Sequence, residues 1–389
     1  MFIPRAITAH LTDMLHKFPV LSLTGPRQSG KTTLLKSVFS DYKYYNLERI
    51  DHRQLISEDI HGFLKNSGSK IIFDEVQRLP DLFSYIQVVS DERNENGQYI
   101  LSGSQSFLLN NHISQSLAGR VSVNNLFPFD YSEISSSVNL KDPVDAIING
   151  WYPRLISQEI EPQDFYPSYL QTYIERDVMT LRSVENLSAF TRFLSLCAGR
   201  VGQVLNISSL ASDTGITVNT ARAWLSLLES SYVIYLLQPY FKNFNKRIIK
   251  SPKLYFYDTG VLSSLLRISK DQINSHYLYG SLFENLVISE IIKNQVHSGA
   301  LPAVYYWRES NGTEIDCIIP QGNRLLAIEI KAGASFNSDY LKNLKKFPEE
   351  SNVLKVLIYN GTETTSISGV NLFNWQNFSE FLENQKQFH

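Results

Sequence analysis

Residues 25–33 read Gly-Pro-Arg-Gln-Ser-Gly-Lys-Thr-Thr, a spacing with a definite chemistry. Gly25 and Gly30 let backbone N–H groups turn inward on phosphate oxygens, and a helix starting near Lys31 aims its positive dipole end at the same place. Lys31 can neutralise the β- and γ-phosphates of a nucleotide, and Thr32 can place a hydroxyl on Mg²⁺. The apolar run Phe18–Thr24 precedes the loop, and residues from Thr33 to Phe39 carry apolar side chains at helical spacing. Strand, glycine loop and helix is the context that separates a phosphate-binding P-loop from a chance glycine turn. Gly25, Pro26, Arg27, Gln28, Ser29, Gly30, Lys31, Thr32 and Thr33 are the candidate nucleotide-binding set.

Further along, Lys70-Ile-Ile-Phe-Asp74-Glu75 runs three apolar residues into two acids. That reads as a central strand ending at the carboxyl edge of a parallel sheet, where ligands bind. Asp74 would hold Mg²⁺ through water, and Glu75 would polarise the attacking water. Tyr99-Ile-Leu-Ser102-Gly-Ser104-Gln105 is another strand with a polar end. Ser104 or Gln105 is placed either to sense a γ-phosphate or to cap the next helix. Arg120 precedes the run Val121–Phe127 and is either a transition-state cation, in cis or in trans, or a surface arginine.

The segments GPRQSGKTT, IIFDEVQ, YILSGSQSFLL and SLAGRV, with Gly150-Trp-Tyr-Pro153 and Tyr173-Ile-Glu-Arg176-Asp177, resemble the AAA+-type P-loop ATPase family with a C-terminal DUF4143 domain (AAA_14/DUF4143). The likeness runs through most of the chain and is most specific in its first third. It implies ATP and Mg²⁺ as cofactors. Lys31 and Thr32 would bind the nucleotide, Asp74 and Glu75 would serve metal and water, and Arg120 is a candidate sensor or finger.

A second centre is marked in the last third. Glu329 and Lys331 stand two apart in the strand-like run Leu325–Lys331, so both project from one face. Asp316 lies on the preceding strand across a short hairpin and can approach that face. Two carboxylates and a lysine on otherwise apolar strands are costly to bury without compensation, which a Mg²⁺ ion would supply. Asp316, twelve intervening residues and then Glu329-x-Lys331, with Glu284 on the leading helix, resembles the PD-(D/E)xK nuclease superfamily. That likeness implies Asp316 and Glu329 as metal ligands, Lys331 as the residue that orients or activates water, and Glu284 as a supporting member of the metal-binding set. Ile315 stands where the superfamily pattern has proline.

Between these centres, Ile207–Gly215 and Thr217–Leu228 read as two helices around a glycine-containing turn, the spacing of a helix-turn-helix. β-rich runs Tyr232–Leu237 and Lys253–Tyr257 follow, with Lys242, Lys246, Arg247 and Lys250 between them. This reads as a winged helix with a basic wing. It either contacts DNA through Asn219, Thr220 and Arg222 with the wing on phosphates, or serves packing and protein contacts.

Four regions must position these residues: a P-loop AAA+-like ATPase domain at 1–130, a helical lid at 131–200, a winged-helix domain at 201–270, and a small α/β PD-(D/E)xK nuclease-like domain at 275–389. The expected class is multidomain α/β, with a parallel sheet in the first domain. The 389 residues carry 36 Lys+Arg against 38 Asp+Glu, a net charge of -2, so DNA binding by diffuse positive charge is excluded and a local patch is required. Cys197 and Cys317 have no metal-type spacing, which fits a reducing compartment. No apolar run approaches the roughly 20 residues that span a bilayer, and Met1–Leu15 does not read as a signal peptide. The expectation is a cytoplasmic ATPase, with no membrane partner, that couples nucleotide state to DNA binding and cleavage. The alternative is an ATP-dependent switch whose inactive nuclease-like end binds protein or nucleic acid. A homo-oligomer is compatible with Arg120 acting in trans.

Overall fold

The computed structural model describes residues 2–104, 113, 116–138, 140, 142–174, 186–241, 251–309, 312–348, 352–378 and 380–382. The chain forms two compact units. The first comprises Met1–Phe129 with Ser230–Tyr232 and Gln295–Ala300, and the second Asp130–Glu229, Val233–Asn294 and Leu301–His389.

The first unit is built on β1 (Val20–Thr24), β2 (Lys43–Asn46), β3 (Ile71–Asp74), β4 (Tyr99–Gly103) and β5 (Val121–Asn125). They lie in the order β2-β3-β4-β1-β5, each parallel to its neighbours. Parallel pairing needs crossovers. The helices Lys31–Val38, Ile50–Ser57, Ile60–Ser67 and Leu82–Arg93 supply those from β1 through β4. Parallel strands are covered on both faces, which is why β1, β3 and β4 are buried at every position. The register places Ser102 beside both Leu23 and Asp74. The carboxyl ends of β1, β4 and β3 therefore meet at one edge, with β4 between the strand that feeds the glycine loop and the strand that ends in two acids. Gly25 leaves β1 at φ +152, where a Cβ would come within 2.1 Å of the Leu126 carbonyl oxygen. Only glycine allows the loop to pass so close to that backbone.

The second unit joins helices to a mixed sheet of β6 (Ile234–Pro239), β7 (Lys253–Phe256), β8 (Tyr305–Arg308), β9 (Glu314–Gln321), β10 (Arg324–Lys331), β11 (Val353–Tyr359), β12 (Thr365–Ile367) and β13 (Val370–Asn374). Their order is β12-β13-β11-β10-β9-β8-β6-β7. The regions read as lid, winged helix and nuclease-like domain belong to this unit apart from Ser230–Tyr232 and Gln295–Ala300. The two β-rich runs form β6 and β7, which pair antiparallel, but β6 also pairs with β8 through Gln238 and Tyr305. The strands read as a wing thus continue the sheet that carries Asp316 and Glu329. A β-rich run declares that it will pair; its composition does not declare how many edges will be used. The basic segment 242–250 lies outside the described residues, as do Gln105, Arg176 and Asp177.

The two helices expected around Gly215 are Ile207–Thr214 and Val218–Ser230. Asn206 accepts the amide hydrogen of Ser209 at 3.0 Å to start the first, and Gly215 ends it at φ 80. Trp224 then packs edge-on to Phe190 and Phe193 at centroid distances of 5.2 and 5.3 Å, fixing the second helix against Leu187–Ala198. Among the described residues no helix is long and apolar enough to cross a membrane. Trp224→Ala should cost about 3–5 kcal/mol through the cavity it leaves; an unchanged urea midpoint for unfolding of the full chain would contradict this packing.

Candidate functional site

The glycine loop, Asp74 and Glu75 come together at the carboxyl edge of the parallel sheet. Gly30, at φ 97, turns the chain into the helix that begins at Lys31, so the loop amides face a helix N-terminus. Gly25, Pro26 and Ser29 are buried, Arg27 and Thr32 are half-buried, and Gln28 and Thr33 are exposed. The Lys31 ammonium donates to the carbonyls of Gly25 and Pro26 at 2.8 and 2.9 Å. Burial pushes it down from the ordinary lysine range to about 8, against the opposing pull of Glu75 and Asp74. Neutral carbonyls are modest partners for a buried charge.

Asp74 is only 3% exposed, and donors surround it. The Thr32 hydroxyl donates to its Oδ2 at 2.6 Å, and the Tyr44 hydroxyl to the same oxygen at 2.6 Å. Ser102 donates to Oδ1 at 2.6 Å, joined by the Glu75 amide at 3.2 Å. Glu75 follows at φ 55, left-handed backbone that a non-glycine residue rarely adopts and that turns its side chain back to the edge. Its Oε2 accepts from Gln77 at 2.6 Å and from Ser104 at 3.1 Å. Thr32 and Asp74 offer the all-oxygen donor set that Mg²⁺ prefers.

Tyr44, Ser102 and Gln77 escaped motif reading. Ser102 was recoverable as the last inward residue of a recognised strand; Tyr44 lies on edge strand β2 and has no motif around it. Arg5 was missed as well. Its guanidinium is 5% exposed and donates to the carbonyls of Ser29 at 2.9 Å and Phe127 at 2.8 Å, tethering the glycine loop from behind.

Arg120 is a correction. It directly precedes β5, whose first residue pairs with Val20 at the start of β1. In a parallel sheet that places it at the amino edge, away from Gly25. It chelates Asp91 at 2.6 and 2.9 Å instead. A role in cis beside the nucleotide is therefore lost, because sequence proximity to a strand does not say which end of the sheet an arginine occupies.

The second unit gathers Glu284, Asp316, Glu329 and Lys331. β9 and β10 pair antiparallel with Cys317 opposite Ile328, and continuing that register sets Asp316 across from Glu329. Lys331 lies 2.8 Å from Glu329 and 3.5 Å from Asp316. Asn343 donates to the same Glu329 oxygen at 3.2 Å, while Asp316 accepts the Ile330 amide at 2.8 Å. Two charged residues join them that sequence reading had not placed here, Lys253 and Glu314. Lys253, the first residue of the β-rich run that follows the basic residues Lys242, Lys246, Arg247 and Lys250, has a side chain only 2% exposed; its ammonium stands 3.0 Å from Glu284, 2.6 Å from Glu314 and 4.0 Å from Asp316. Tyr255 also donates to Glu284. Burial alone would lower the Lys253 ammonium, but Glu284, Asp316 and Glu314 outweigh it and hold it above the lysine range. Burial, with Asp316 alongside, pushes Glu329 up to about 8. Burial likewise raises Glu284. Among the described residues Glu329 Oε2 is buried without a hydrogen-bond partner. An orphaned oxygen on a carboxylate that pairs across strands with a second acid is what a divalent cation would satisfy.

On the helix Val218–Ser230, Asn219 and Arg222 are exposed and Thr220 is half-buried. The opposite face, with Ala221, Trp224, Leu225 and Leu228, is core. Thr217 starts the helix by accepting the Thr220 amide at 3.1 Å. Cys197 and Cys317 are buried free thiols.

Three family models match the chain in succession. An AAA domain covers residues 17–135, a domain of unknown function, DUF8612, covers 140–272, and another, DUF4143, covers 279–378. An uncharacterized protein of Mycobacterium tuberculosis is 30% identical over 337 residues, which are 84% of this chain and 73% of that protein. One from Methanocaldococcus jannaschii is 23% identical over 373 residues, 86% of this chain and 81% of that protein. Among solved structures, a Walker-type ATPase of Pyrococcus abyssi aligns with a TM-score of 0.45 at 18% identity, covering 67% of this chain and 95% of that one.

The close approach at Gly25 has a direct consequence. Gly25→Ala should displace the loop from Leu126 and weaken nucleotide binding at least about 10-fold, a loss of roughly 1.4 kcal/mol. Titration with a fluorescent nucleotide checks this, and wild-type affinity would show that the loop tolerates the added methyl.

Proposed function

The chain belongs to the family of AAA-domain proteins that carry a C-terminal DUF4143 domain, and we propose that it hydrolyses ATP with Mg²⁺ and couples nucleotide state to a nuclease-like region that binds and cleaves DNA. The observation that carries the ATPase part is the pairing of Thr32 with Asp74 at 2.6 Å, directly beside Glu75 and the buried Lys31. The loop amides receive the phosphates. Lys31 exchanges the carbonyls of Gly25 and Pro26 for phosphate oxygens, a charge-assisted contact in place of neutral ones. The Mg²⁺ ion, when bound, neutralises charge on the β- and γ-phosphates. Asp74, held by Tyr44 and Ser102, keeps its orientation while Thr32 turns its oxygen outward. Glu75, steadied by Gln77 and Ser104, accepts the proton of the attacking water.

The C-terminal part of the proposal is supported by the cluster around Asp316. Glu329 and Asp316 would hold a divalent cation, which supplies Lewis-acid stabilisation of charge developing on a phosphodiester. Lys331, between both carboxylates, orients the water. Asn219, Thr220 and Arg222 are the residues proposed to meet DNA on the exposed helix face.

Lys31→Ala should lower phosphate release by about 10²–10³-fold, the scale for removing a group that stabilises transferring charge; release at the wild-type rate ends the ATPase assignment. With Mg²⁺ or Mn²⁺ the protein should nick plasmid DNA, and Glu329→Ala combined with Lys331→Ala should not. If both leave plasmid, single-stranded and branched DNA intact, the C-terminal region acts by binding alone.

A further inference from the structure

The buried lysine in the second centre sets how many ions that centre can take. Glu284, Glu314, Asp316 and Glu329 contribute four carboxylates, and Lys253 and Lys331 contribute two ammoniums. With all four carboxylates deprotonated, as a bound cation would hold them, two negative charges remain, the amount one divalent cation removes. Arg308, 3.5 Å from Glu314 and about half exposed, lies at the rim and adds only positive charge. A second divalent cation would leave an excess of positive charge in a poorly solvated place, which is costly.

The hydrogen bonds select the position of that one ion. Glu284 Oε1 is taken by Lys253 and Tyr255, and Glu314 is taken by Lys253 and Arg308. On the other side, Glu329 Oε2 has no partner among the described residues, although Glu329 is only 2% exposed. Asp316 Oδ2 is engaged by the Ile330 amide, while Oδ1 has Lys253 no nearer than 4.0 Å. We infer that this centre binds a single divalent cation between Asp316 and Glu329, and that the Lys253 ammonium permanently fills, among Glu284 and Glu314, the place a second ion would need. Glu284 then anchors Lys253 rather than ligating metal. The inference rests on reading the cluster as a cation site, but not on DNA cleavage.

The experiment counts Mn²⁺ bound to the full, nucleotide-free chain by loss of the free-ion EPR signal. Thr32→Ala and Asp74→Asn are present throughout so that the nucleotide edge contributes nothing. One ion per chain, lost on adding Glu329→Gln, is expected. Two ions with Lys253 in place, or none, overturn the inference, and none also removes the cation-site reading itself. A protein that binds one ion and cuts no DNA keeps this inference and ends only the nuclease reading. Lys253→Gln should raise the count from one to two, and a folded variant that stays at one overturns the role given to Lys253. Should Lys253→Gln fail to fold, the count with Lys253 present decides.

Discussion

A charge removed from water must be answered by an opposite charge or by hydrogen bonds, and both polar centres of this protein are organised by that requirement. The consequences reach well beyond the charged residues. At the nucleotide edge the answer given to Asp74 comes from three hydroxyls and an amide, on β2, β4, the loop helix and the turn after β3. Those donors converge only because strands β1 to β4 run parallel and end in register. The topology of the sheet is thus a condition for keeping one buried carboxylate hydrogen-bonded and oriented, and the sheet's order cannot change without orphaning it. The cluster in the second unit meets the same requirement with ion pairs instead of hydroxyls, which needs β7, β9, β10 and the helix Tyr279–His297 to present charges of both signs to one place.

Strain and close contact are spent where the nucleotide edge is built. Glu75 takes a left-handed conformation, unfavourable by about 1–3 kcal/mol for a residue with a side chain. The surrounding structure holds it there through Gln77 and Ser104. Gly25 avoids comparable strain only by having no Cβ. Arg5 contributes at the back of the loop, where its buried guanidinium ties Ser29 to Phe127. The loop backbone is therefore held in shape by the sheet on one side and by an N-terminal residue on the other, so the proposed phosphate binding would ask only side chains, Lys31 and Thr32, to move.

Local arrangement was legible in the sequence wherever it was carried by contiguous spacing. The glycine loop, the paired acids after β3 and the Asp316, Glu329 and Lys331 set could each be read because a strand or a turn fixes the relation between neighbours. What depended on tertiary pairing was not legible. Tyr44 reaches Asp74 only because β2 lies next to β3. Arg120 falls at the far edge because β5 is parallel to β1. Lys253 reads as the end of a basic run, since Lys242, Lys246, Arg247 and Lys250 precede it; its neighbours in space, Glu284 and Glu314, are far away in the chain. The helix-turn-helix spacing around Gly215 was likewise visible, while the second pairing edge of β6 was not.

The two lysines closest to the proposed chemistry differ in how they are held, and the difference bears on where ligand charge enters. Lys31 is buried against neutral carbonyls, with an ammonium that burial has already pushed down to about 8. A phosphate would answer it better than its present partners do, so the proposed nucleotide binding would improve its environment. Lys253 is at the opposite limit. Carboxylates on one strand, β9, and one helix surround it and raise it above its ordinary range; moving it would leave three acids unanswered at once. A cation that gains by moving marks a place built to receive an anion. A cation that can only lose by moving is part of the scaffold, and it leaves the charge to be supplied from outside to Glu329, whose Oε2 has no hydrogen-bond partner among the described residues.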